Sequence, residues 1–223
     1  MAYGPGSDPF GIAAVGIELQ AVNSNPAGQE AQCEDENGSV LASTVFGQMT
    51  PVTARYKVKA GVTVTPPKLG AAISTHYMTR FAPKRSNRDV LEIEVEGYPA
   101  SLFAAAPPTF TIDGLFPTNY LLGGKGAIAA GITVSTGKVI SSSIVCSVNV
   151  GTPLLDEAGT IVDIPISGGR MEATNETQVS TGTPAATAAE DWALKPDSGA
   201  ASNDNQSYGT KTFGAFRNIV ADV

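Results

Sequence analysis

Apolar and polar positions along this chain alternate with a period of two. The run Leu91-Glu92-Ile93-Glu94-Val95-Glu96 is the cleanest case: on an extended strand it sends three aliphatic side chains to one face and three carboxylates to the other. The same alternation, interrupted by turn residues, predicts strands at Val15–Val22, Thr53–Val64, Ala71–Phe81, Val90–Gly97, Phe110–Ile112, Ile128–Val134, Val139–Val150, Thr160–Ile166, Arg170–Val179 and Tyr208–Val220. Gln29–Cys33 and Ser39–Phe46 flank Glu34-Asp35-Glu36-Asn37-Gly38, and Asn-Gly tolerates the positive φ of a tight hairpin turn. Only Ala100–Ala106 and Ala185–Leu194 could be helical, the second capped by Thr183 or Thr187 and anchored by Trp192. The expected fold is therefore all-β, a β-sandwich or barrel of many short antiparallel strands with at most one or two short helices.

Residues 1–10 are rich in Gly and Pro and read as an N-terminal arm without its own core. Residues 11–223 read as a single β domain carrying an exposed polar loop near 197–206. One internal echo links Asp35-Glu36-Asn37-Gly38-Ser39-Val40-Leu41 to Asp156-Glu157-Ala158-Gly159-Thr160-Ile161-Val162. Acidic residues and a glycine before a β-branched run are what a hairpin turn requires, so the echo is read as two turns rather than a repeat.

Composition supports the β reading. Gly and Pro together make up 39 of 223 residues, and only 16% are charged, against about 25% in an ordinary soluble domain. Long surface helices need Glu, Lys and Arg on their wet faces; short strands and covered contact surfaces do not. The formal charge of −7 disfavours attraction of the whole molecule to nucleic acid or anionic lipid. The longest apolar-looking run, Phe10 to Ile17, is too short for a membrane span. No basic residue precedes it, so neither a membrane partner nor a secretory leader is expected. Cys33 and Cys146 form neither a disulfide framework nor a zinc cluster and are expected to be buried thiols of a reducing compartment.

Groups able to make or break bonds are scarce. His76 is the sole histidine, no Gly-x-Ser-x-Gly elbow accompanies it, and His-x-x-x-His and Cys-x-x-Cys spacings are absent. Gly123-Gly124-Lys125-Gly126-Ala127 lacks the Ser or Thr that follows the lysine of a phosphate-binding loop, and reads as a hairpin connection. No catalytic residue, cofactor or metal is expected.

Charge placement carries more information. From Arg55 to Arg88 the chain holds 8 of its 14 basic residues and no acidic one, and Glu92, Glu94 and Glu96 follow at once. The three carboxylates have three candidate roles. They form a solvated face, or pair across strands with the alternating Arg55, Lys57 and Lys59, or line the bore of a ring through which a polyanion passes without sticking. Tyr56, Tyr77 and Phe81 among the basic residues would suit stacking on bases, but the net charge opposes a nucleic-acid groove. Opposite signs on different edges of one subunit favour head-to-tail association instead.

The stretch from Tyr77 through Asn87-Arg88-Asp89-Val90-Leu91-Glu92-Ile93-Glu94-Val95-Glu96-Gly97 resembles the tail-tube and related virion structural proteins of tailed bacteriophages. In those proteins a polar Ser-Asn-x-Asp turn leads into an alternating strand that ends in Gly. The Gly-Pro-rich arm, the early Asp-Glu-x-Gly hairpin and the near absence of His and Cys are similar too. The resemblance implies a β-sandwich or barrel subunit that assembles with copies of itself into hexameric, stacked rings. Such a tube is built in the host cytoplasm, belongs to the virion, contacts other virion proteins and passes DNA without sequence-specific binding. On this reading Glu92, Glu94 and Glu96 form a lumen-facing acidic row, and Arg80, Lys84, Arg85 and Arg88 make intersubunit contacts. The loop 47–53 and the N-terminal arm reach neighbours. Alternatives are a capsid decoration or minor head protein, and a carbohydrate- or receptor-binding β module, for which Tyr98, Tyr120, Trp192 and Tyr208 are too scattered along the chain.

Overall fold

A computed structural model describes residues 8–24, 26–34, 36, 39–59, 61–86, 90–112, 132–134, 138–180, 186–188, 191–195 and 208–222. In chain order its strands are β1 (Ile17–Ser24), β2 (Ala27–Glu34), β3 (Val40–Met49), β4 (Val52–Val58), β5 (Ala72–Ile73), β6 (His76–Ser86), β7 (Leu91–Pro99), β8 (Ile132–Val134), β9 (Lys138–Val150), β10 (Leu154–Leu155), β11 (Ile161–Asp163), β12 (Ile166–Ser180), β13 (Ala186–Ala188), β14 (Ala193–Leu194) and β15 (Tyr208–Ile219). The fold is all-β, as the alternation predicts. Nine strands form one antiparallel sheet in the order β1-β4-β7-β6-β9-β12-β15-β14, with β5 paired to β6, and the sheet does not close into a barrel.

Both helix expectations are corrected. Ala100–Leu102 is a single 3-10 turn, and 185–194 contains β13 and β14, paired to β8 and β15. Alanine has high helix propensity, but cross-strand pairing outweighs it where a neighbouring strand offers a ladder.

One face of the sheet is apolar and buried. Val52, Ala54, Tyr56 and Val58 of β4 share it with Leu91, Ile93 and Val95 of β7, and Ile144 and Cys146 of β9 continue it across the sheet. A second layer covers this face, built from connecting segments: Phe10, Val64, Leu69, Phe110 and Ile112 pack there, with Ile132 of β8. The product is a two-layer sandwich in which one layer is a sheet and the other is largely extended chain.

Residues 8–10 of the expected arm lie against this core, and residues 1–7 lie outside the described residues. Asp8 is held in place: its carboxylate accepts the Tyr56 hydroxyl at 2.5 Å and the backbone N–H groups of Phe10 and Ala13 at 3.0 and 2.6 Å. Burial, and then the hydrogen bond to Asp8 and its charge, raise the Tyr56 phenol far above its usual range, so it stays a donor. Phe10 is 1% exposed and lies against Gly97, where a Cβ would come within 2.7 Å of its ring and 2.6 Å of the Tyr77 carbonyl. The other terminus is tied down in a similar way. Asp222 accepts hydrogen bonds from Lys68, from the Thr109 hydroxyl, and from both the N–H and hydroxyl of Thr111.

Two hairpins lie outside the large sheet. β2 and β3 pair only with each other, and β10 and β11 form the second pair. The sequences that join the strands of each pair carry the two echoed motifs. At the second, Asp156 accepts the N–H groups of Ala158 and Thr160, and Gly159 takes φ +76°. The hairpins meet where the Gly47 N–H donates to the Gly159 carbonyl at 3.0 Å. The expected loop 47–53 is strand at both ends, in β3 up to Met49 and in β4 from Val52. The Gly123–Ala127 connection and the polar stretch 197–206 lie outside the described residues.

Candidate functional site

The outer face of the large sheet gathers the charged residues singled out by the sequence. Strand β7 lies between β4 and β6, so Glu92 and Glu94 have cationic neighbours on both sides, while Glu96 faces Thr53 on β4. The register sets Glu94 opposite Arg55, and Glu92 opposite Lys57 on one flank and Lys84 on the other. Arg80 on β6 stands opposite Glu96 and reaches diagonally to Glu94. Arg55 Nε donates to Glu94 Oε2 at 3.1 Å, and Arg80 Nη1 donates to Glu94 Oε1. Lys57 lies 3.7 Å from Glu92, and Lys59 reaches past it to Glu18 on β1 at 2.7 Å. Cross-strand pairing, one of the three roles open for the acidic row, is what the geometry displays.

The electrostatics follow from that placement. The hydrogen bond from Arg80 holds the Glu94 carboxyl below its usual range; partial burial opposes the shift, and Arg55 reinforces it. Burial, with the Glu96 charge adding to it, raises the Tyr98 phenol at the end of the same strand. A bare acidic wall would need uncompensated carboxylates, and Glu94 is flanked by two guanidinium groups.

A shallow depression of about 540 Å³ opens on this face over Ala82. Alanine is the small residue between Arg80 and Lys84, so the long side chains around it form a rim above a low floor. Arg55, Lys57, Arg80 and Lys84 line the depression with Glu92 and Glu94, a local charge of +2 on a chain of −7. Ser143 on β9 completes the wall, and the depression runs out to Gln20 and Ala21 on the edge strand β1.

The residues expected at intersubunit contacts separate here. Lys84 is exposed and Arg80 is half-buried against Glu94. Arg85 is corrected: it is 6% exposed and faces the sandwich interior, opposite Ser142. Adjacent strand residues point to opposite faces, so Lys84 and Arg85 could not both reach the surface. Arg88 lies outside the described residues.

His76 is buried, 5.7 Å from the Phe10 ring, with Thr75 Oγ1 3.1 Å from its Nδ1. Burial lowers its pKa. It borders a second cavity of about 650 Å³, lined by the hydroxyl residues Ser24, Thr50, Ser74, Thr75 and Ser101 together with Val52 and Leu102. No Asp or Glu lies in this lining among the described residues.

The two cysteines occupy different environments. Cys146 is in the core, where burial raises its pKa. Cys33 on β2 is exposed, which corrects the expectation of two buried thiols; its strand lies outside the large sheet. Among the described residues no helix is long and apolar enough to cross a membrane, and no group of three or more His, Cys, Asp or Glu could hold a metal ion.

Sequence reasoning missed the Asp8–Tyr56 and Asp222 clasps, which join residues 48 and 154 positions apart and leave no local signature. It missed the depression too, although the small residue of Arg80-Phe81-Ala82-Pro83-Lys84 on an alternating strand was a legible cue. No protein-family model matches this chain, and no curated protein is significantly similar to it.

Proposed function

We propose that this chain is a non-enzymatic structural subunit of a virion that assembles with copies of itself, in the manner of a phage tail-tube protein whose stacked rings conduct the genome. The observation that carries this reading is the β2–β3 ribbon. Its strands are 8 and 10 residues long, and the large sheet contributes no strand to it. Ala42 and Ser43, adjacent and so on opposite faces, are both exposed, as are Val40 and Val45 at 52% and 53%. An isolated two-stranded ribbon is marginally stable in water, and open strand edges pair readily with another chain. Such an element gains stability when a neighbour covers it. Leu154, Leu155 and Val162 on the adjoining hairpin are exposed and extend the apolar area beside the ribbon base.

Electron microscopy of the purified full chain tests the proposal. Hollow tubes or six-fold rings are the expected result. A chain that stays a solitary monomer at every concentration, or that turns over a substrate through His76, overturns it.

The mixed charge of the outer face favours a capsid-decoration role as the second reading, since balanced ion pairs suit a face turned to solvent. Monomers that bind only to preformed capsids would select that reading.

A further inference from the structure

We infer that the cationic depression over Ala82 is the receptor for the acidic β2–β3 ribbon of a second copy of this chain. This inference rests on the self-assembly reading above and names the two surfaces that meet.

The first observation is the segregation of charge. Residues 1–54 contain no Lys or Arg at all. Within 27–49 the ribbon carries Glu30, Glu34, Asp35 and Glu36 and no cation, with Glu36 exposed at the turn. The depression is the reverse, four cations against two carboxylates. One surface of an acidic protein is thus positive, and one projecting element of the same protein is purely negative.

The second observation is availability. Arg55 and Arg80 are committed to Glu94. Lys57 is half-exposed and sits at the loose distance of 3.7 Å from Glu92. Lys84 is exposed and takes part in no ion pair among the described residues. Two ammonium groups on the same rim are therefore placed to receive incoming carboxylates, while the guanidinium pair keeps the floor rigid. Lysine suits this role because its compact charge on a flexible stem can move from one partner to another.

The third observation is reach and access. Strands of 8 and 10 residues extend roughly 30 Å at about 3.4 Å per residue, and among the described residues neither pairs with the large sheet, so the ribbon is long enough to reach a neighbouring copy. The depression runs out to β1, which ends the strand order of the large sheet among the described residues. A ribbon arriving there meets the positive rim beside the sheet's terminal strand. Ribbon and receptor are different surfaces of one subunit, so the contact is heterologous and repeats head to tail, closing into a ring or propagating. Charge complementarity of this kind sets register and partner choice.

Three measurements on the full chain test the inference. Sedimentation in 0.1 M salt compares wild type with the double variants K57E/K84E and E34K/E36K. Each variant alone should associate more than tenfold more weakly than wild type, and an equimolar mixture should recover association through the exchanged charges. Because reversing Lys57 beside Glu92 could disturb the fold, wild-type chains labelled with ¹⁴N and ¹⁵N are also mixed and treated with a zero-length carbodiimide. Mass spectrometry should find an intermolecular link from Lys57 or Lys84 to Glu34, Asp35 or Glu36. Wild type that associates without this link, or charge variants that associate as wild type does, overturn the inference and leave self-assembly standing. Wild type that never associates overturns both. A short DNA duplex that binds wild type and is lost in K57E/K84E, with no ribbon link formed, assigns the rim to phosphates and overturns it as well.

Discussion

Glu94 is shared by two arginines in unequal settings, and that inequality fixes the outcome of a double-mutant cycle. Arg80 and Glu94 have side-chain exposures of 31% and 29%, whereas Arg55 is 66% exposed. Exposed ion pairs couple by about 0.2–1 kcal/mol, and solvent screening removes most of that where a partner is largely wet. The Arg80–Glu94 coupling should therefore reach about 1 kcal/mol, and the Arg55–Glu94 coupling only about 0.3 kcal/mol. The variants are Arg80→Met, Arg55→Met and Glu94→Gln with their doubles, each unfolded in urea at pH 7 and low salt. At 1 M salt the Debye length falls to about 3 Å, so the Arg55 coupling should vanish while most of the Arg80 coupling survives. The pH dependence has a fixed sign. The folded carboxyl titrates below its unfolded value, so its contribution is complete above about pH 5 and is lost as pH falls through the lower folded value. A coupling to Arg55 equal to or larger than that to Arg80, or an Arg80 coupling abolished by salt, refutes the reasoning.

Other consequences are open to direct measurement. Tyr56→Phe deletes a hydrogen bond to the Asp8 carboxylate and should cost about 1.5–3 kcal/mol, read by urea unfolding, with faster exchange of the Phe10 and Ala13 amides. Gly97→Ala forces a methyl against the Phe10 ring and the Tyr77 carbonyl and should destabilise by about 1–3 kcal/mol; pairing it with Phe10→Leu should return part of that loss in thermal melts. Lysine and threonine donors depress the Asp222 pKa, so the C-terminal tie is complete well above the ordinary aspartate value of about 3.9 and loosens as pH falls below it. Amide exchange at Thr111 should report the loosening, and Asp222→Asn should show weakened protection even at neutral pH.

The amino-acid sequence by itself determined the fold class and most strand positions. Strict alternation in 91–96 can be satisfied only by an extended strand with one buried face, and β7 has that arrangement at Leu91, Ile93 and Val95. The pairing of the strands that flank residues 34–38 was equally legible, because turn chemistry is local. Strand order was not. Only the tertiary structure placed β7 between β4 and β6, which set Glu92 and Glu94 of the acidic row among cations of both neighbouring strands. It alone decided the phase of β6 as well. A register shift between Met78 and Arg80 leaves Thr79 buried and reverses the alternation that follows, so Arg80 and Lys84 turn outward while Phe81 and Arg85 turn in. The physical reason is common to both. Alternation along a strand is set by its own backbone geometry, whereas neighbours and bulges are set by how distant segments share one sheet, and those contacts leave no periodic trace in the chain.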